Sequence, residues 1–190
     1  VTIEAGVKSE MLITEVCYQR TATGGPSPYP SYLNTDDFTE ITTSKGGVSL
    51  AGYSYEMWVS GALRGKLTFP AGAKTSPNGT VVIGTSTTSG TNASSFYYSM
   101  NTSWNMGATS VSGNIIRDPM GDIVDVITYG RFTFPAAAGV TSSDWTGSTT
   151  TGNAGIKRVN GPDNNTSSNW VRVTNSNRQT PNVKNSGLKI

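Results

Sequence analysis

Apolar and polar residues alternate along this chain in short runs separated by turn residues. In residues 11–19 (MLITEVCYQ), Leu12, Val16 and Tyr18 alternate with Ile13, Glu15 and Cys17. Both faces are partly apolar, which predicts a strand inside a sheet. Residues 20–33, centred on GGPSPYP, cannot hold ladder hydrogen bonds and read as a loop. A second strand is expected at residues 38–43. After Gly46-Gly47, the run VSLAGYSYEMWVS puts Tyr53, Tyr55, Met57 and Val59 on one face and Ser54, Glu56 and Trp58 on the other. Strand signals recur at residues 66–69 and 80–83. They return at 114–117 and 122–129, joined by the turn Asp118-Pro119-Met120-Gly121, the clearest hairpin in the chain. Short strands at 156–159 and 170–173 close the series. Residues 84–113 read as a long polar insert and 132–155 as a long loop, with a single helical turn near 135–139. About eight or nine strands without intervening helices must bury their apolar faces against a second sheet, which predicts an all-β sandwich.

Composition supports this and removes whole classes of chemistry. Ser, Thr and Asn make up 65 of the 190 residues, a choice suited to sheet surfaces and turns rather than helices. Histidine is absent, so Ser-His-Asp and Cys-His sites and His-ligated zinc are excluded. The single cysteine, Cys17, forms no disulfide within the chain and reads as a small buried hydrophobe. No metal and no small-molecule cofactor is implied. No apolar run approaches the roughly 18–20 residues of a membrane span. The chain opens on Val1 with neither an initiator Met nor a signal peptide, so it is expected to begin at a processed end or an artificial boundary, and the Ser/Thr/Asn-rich, nearly cysteine-free composition suggests an extracellular or cell-envelope location. The net charge of +2 is mild but uneven, because residues 155–190 carry six basic side chains against Asp163 alone.

The order of these motifs resembles the lamin tail domain, an immunoglobulin-like β-sandwich found in nuclear lamins and in many exported bacterial proteins. The resemblance rests on LITEV at residues 12–16, DFTEIT at 37–42, VSLAGYS at 48–54, LTFPAG at 67–72 and PNGTVVI at 77–83. It continues through the hairpin at 116–129 with Gly121, Val124 and Asp125, and closes on Ile156-Lys157-Arg158-Val159, Asp163, Trp170 and Pro181. It implies a 1–10 leader, a sandwich domain over 11–185 and a 186–190 tail. Nothing in the chain resembles the heptad rod of a filament, so a lamina role does not carry over. Independently of the family, Gly52 and Gly121 are expected at tight turns needing positive φ, and Trp170 as an anchor at the sandwich edge.

Several residues invite a chemical reading. Glu15, Glu40 and Asp125 lie within expected strands. A convergent pair would serve acid/base work on a glycosidic bond, whereas partnership with backbone amides or an arginine such as Arg158 is the favoured alternative. Tyr97, Tyr98 and Trp104 offer an aromatic platform for sugar rings or bases, against the alternative of pinning the polar loop to the sandwich; Trp58 and Trp145 read as packing residues. Lys157, Arg158 and Arg172 head the basic C-terminal third, which suits an anionic polymer or simple solvation. Residues 160–165 (NGPDNN) are rich in oxygen donors for Ca²⁺ but carry one carboxylate, and turn chemistry explains them as well. The sequons at Asn78, Asn92, Asn101, Asn164 and Asn165 are no more numerous than so much Asn, Ser and Thr gives by chance. The expected function is a non-enzymatic extracellular attachment or protein-interaction module. Its rivals are a carbohydrate- or nucleic-acid-binding module and, less favoured, a carboxylate-dependent hydrolase.

Overall fold

Ten strands form two sheets in a computed structural model, which describes residues 11–18, 37–85, 96–104, 106, 112–130, 132–141, 155–159, 167–173, 184–185, 188 and 190. The strands are β1 (Met11–Cys17), β2 (Phe38–Thr43), β3 (Ser54–Val59), β4 (Ala62–Thr68), β5 (Thr80–Gly84), β6 (Tyr97–Ser99), β7 (Ser112–Arg117), β8 (Ile123–Tyr129), β9 (Gly155–Arg158) and β10 (Trp170–Val173). One sheet runs β10-β9-β1-β2-β5-β6 and the other β4-β3-β7-β8. All pairings are antiparallel except β5 with β6. This is the expected sandwich, with β6 and the first half of β4 added to the strands read from sequence.

Strand alternation accounts for the core. Ile13, Val16, Ile41, Val81, Ile83 and Ile156 from the larger sheet meet Tyr55, Met57, Val59, Ile116, Ile127 and Tyr129 from the smaller. Tyr18 stacks on Tyr129 with centroids 5.0 Å apart, and Phe69 meets Tyr98 edge-on at 5.1 Å, geometries that aromatic quadrupoles favour. The outward faces are partly covered as well. On the larger sheet Cys17, Phe38, Val82 and Tyr97 form a second buried cluster, as β1's two apolar faces anticipate. On the smaller sheet Trp58, Ile115 and Val126 are capped by Phe132 and Ala138, where the expected helical turn is a 3₁₀ turn at Ala136–Ala138.

Turns follow their residue chemistry. Gly52 and Gly121 both adopt positive φ, +80° and +92°. At the β7–β8 turn, Asp118 Oδ1 accepts from the backbone N–H groups of Met120 and Asp122, both at 2.9 Å. Three bulges interrupt the ladders: Thr14 is the extra residue in β1, Arg64 in β4 and Val124 in β8. Bulges at sheet edges re-aim side chains, and the one in β4 positions the candidate site.

Candidate binding surface at the β4 edge

Among the described residues β4 lies at the edge of the smaller sheet, paired with β3 alone. Its register slips between Met57↔Gly65 and Trp58↔Leu63, so Arg64 is left without a partner residue on β3. The strand carries Arg64 and Lys66 and no acid. Opposite it comes the segment that follows β6. Met100 N donates to Gly84 O at 2.9 Å and Thr102 N to Thr85 O at 3.2 Å, which ties the segment to the larger sheet. Thr102 then crosses to the smaller one. Its Oγ1 donates to Arg64 O at 2.9 Å and accepts from Trp104 N at 3.3 Å. Gly65 permits this approach: a β-carbon there would stand 3.2 Å from Met100 Sδ and 3.3 Å from Thr102 Cγ2.

The outcome is a guanidinium laid against an indole. Arg64 Cζ sits 3.9 Å from the centroid of the Trp104 ring, within cation–π range. Trp104 remains 45% exposed, whereas Trp58 and Trp170 are buried. Among the described residues, Arg64 Nε is buried without a hydrogen-bond partner and no ion pair involves Arg64.

Glu56 and Arg117, on the neighbouring strands, are engaged internally. Glu56 Oε2 accepts from Trp58 Nε1 at 3.1 Å, and its Oε1 accepts from Lys66 Nζ and Arg117 Nε, each at 3.2 Å. Burial alone pushes the Glu56 carboxyl up, but these hydrogen bonds and the charge of Arg117 outweigh it and hold it below the ordinary glutamate range. Arg117 also donates to Gly121 O at 3.1 Å and Ala138 O at 2.6 Å, which fastens the 3₁₀ cap.

At the opposite flank Asp125 and Arg158 lie between the sheets. Asp125 Oδ2 accepts from Ile13 N at 2.6 Å and stands 3.6 Å from Arg158, whose Nε donates to Ile13 O at 3.2 Å. Arg158 also lies over Trp170, 4.8 Å from its ring centroid. The partnership expected for a strand carboxylate is thus present, with Arg158 as the arginine. Glu40 Oε1 accepts from Thr14 Oγ1 at 3.0 Å, and Glu15 faces Glu40 across the β1–β2 ladder, both fully buried.

The structure separates the sequence candidates. Tyr97 and Tyr98 are buried in different clusters on opposite faces of the larger sheet, so the expected platform of three rings is not assembled and Trp104 is its one exposed member. Arg158 is fully buried and has no face for a polymer. Lys157 lies opposite Glu15 and Val171, and Arg172 opposite Ile156; both are half-buried. Asp125 is drawn toward β1, and it lies on the sheet opposite Glu15 and Glu40. Among the described residues no three acids or cysteines gather to hold a metal. Trp145, Asp163 with its neighbours, and the 1–10 leader fall outside the described residues. Arg64 escaped the sequence reading, although Gly65 inside a strand was a usable sign of a bulge. No protein-family model matches the chain, and no curated protein matches it.

Proposed function

We propose that this domain is a non-catalytic attachment module of the lamin tail type, working outside a bacterial cell as part of an exported protein and making contact through the β4 edge. The observation that carries this reading is the Arg64–Trp104 pair. It is an exposed aromatic and a cation without an acidic partner, positioned by Thr102 on a strand edge. An exposed ring joined to an arginine is the kind of anchor that dominates binding energies at interfaces. The ordered series of motifs supports the family assignment, and the Ser/Thr/Asn-rich, cysteine-poor composition supports the location. The engagement of Glu56, Asp125 and Glu40 within the sandwich favours binding over acid/base catalysis.

The test is retention of the purified chain on isolated bacterial cell envelopes. Retention that falls at least about tenfold in both Arg64→Gln and Trp104→Ala, with unchanged melting temperature, is the expected result for loss of an anchor. Retention indifferent to both substitutions, or release of cleaved glycan from the envelopes, would contradict it.

A further inference from the structure

We infer that the Arg64–Trp104 pair is a subsite for a carboxylate-bearing sugar, a uronate unit of an acidic polysaccharide; this rests on the attachment reading and specifies its ligand. Two other arginines show what Arg64 lacks. Arg117 reaches Glu56 and two carbonyls, and Arg158 reaches Asp125 and Ile13 O. Arg64 has the indole face and, among the described residues, no acceptor for its buried Nε. A guanidinium is a planar fork of donors that matches a carboxylate, and stacking on an aromatic ring fixes its plane before a ligand arrives. The entropy of ordering that side chain has therefore already been met by the fold.

Charge and polarity point the same way. Neither β4 nor residues 96–104 contain an acid, and Glu56 on the neighbouring strand is already paired with Lys66 and Arg117. The residues flanking Trp104 in its segment are polar, with Asn101 and Ser103 exposed. Amide and hydroxyl groups beside an exposed ring suit the hydroxyls and C–H face of a pyranose, since a ligand site needs few, well-placed polar groups around an apolar surface. The backbone of Asn101 is held in the left-handed region, φ +52°, with its N–H donating to Ser99 Oγ at 3.0 Å. A nucleic acid strand would call for several cations along a groove and successive rings, and the described edge presents one free guanidinium and one exposed ring.

The test is affinity electrophoresis of the purified chain in gels containing polygalacturonate, the same polymer fully methyl-esterified, dextran, polyglutamate or single-stranded DNA. Expected is retardation by polygalacturonate that methyl-esterification abolishes, exceeds that by polyglutamate and DNA, and weakens about tenfold or more in Arg64→Gln and Trp104→Ala. Arg64→Lys, which keeps the charge and loses the fork, weakens it as well. Circular dichroism melting of each variant separates lost binding from lost folding. Equal retardation by the methyl ester overturns the role of the carboxylate. Equal retardation by polyglutamate or DNA overturns the sugar. Absence of glycan binding, with envelope retention still dependent on Arg64, overturns this inference and leaves the attachment reading standing; loss of both overturns the two together.

Discussion

Asp125, Arg158 and Glu56 illustrate how a carboxylate or guanidinium is tolerated inside a β-sandwich. Each of these three has a counter-charge and at least one further hydrogen bond, which offsets the cost of burying an ion. Removing one partner leaves the other uncompensated, so Asp125→Ala is expected to cost about 3–5 kcal/mol in urea unfolding. A loss below about 0.5 kcal/mol would show that the Ile13 and Arg158 contacts matter little. Glu56 makes a prediction with a sign. Its folded pKa lies below the unfolded value near 4.3, so the stability it contributes is complete above that value and is lost as pH falls through the lower folded one. The difference in unfolding free energy, from urea titrations, between the native protein and Glu56→Gln should therefore be largest at neutral pH, about 1–3 kcal/mol, and shrink in acid. A difference that grows with acid would refute the assignment.

At the scale of elements, the β4 edge depends on a bulge and on a small residue. Gly65 lets Met100 and Thr102 lie against the strand, and the larger Val would push that segment away. Gly65→Val is expected to destabilise by about 1–3 kcal/mol, the usual cost of overpacking, and to shift the fluorescence of exposed Trp104 as its cation–π contact is lost. Unchanged fluorescence would mean that Thr102 alone sets the pair. The same elements mark what could be read in the sequence. Residues 38–43 and 170–173 match β2 and β10 because their boundaries carry turn residues and their interiors alternate. β6 was hidden because Tyr97–Ser99 is three residues long, sits among serines and threonines and pairs parallel. The start of β4 was hidden because Gly61 and Gly65 read as loop, although one closes a turn and the other accompanies a bulge.

For the whole molecule, the sandwich followed from alternation and from the absence of helical periodicity, while the candidate site did not. Its two partners are brought together across the gap between the sheets by Thr102, 38 residues beyond Arg64, a juxtaposition no local pattern encodes. Burial also decided which aromatic residue is available, since Tyr97 and Tyr98 enter opposite faces of the larger sheet and are buried, while Trp104 lies beyond β6 and stays exposed. Among the described residues no helix is long and apolar enough to cross a membrane. Contact through the β4 edge can be read from amide hydrogen exchange of the chain bound to isolated bacterial cell envelopes. Slowed exchange in residues 62–68 and 96–104 with little change in 155–158 and 170–173 is expected, and protection of the latter pair with none at the β4 edge would rule that contact out.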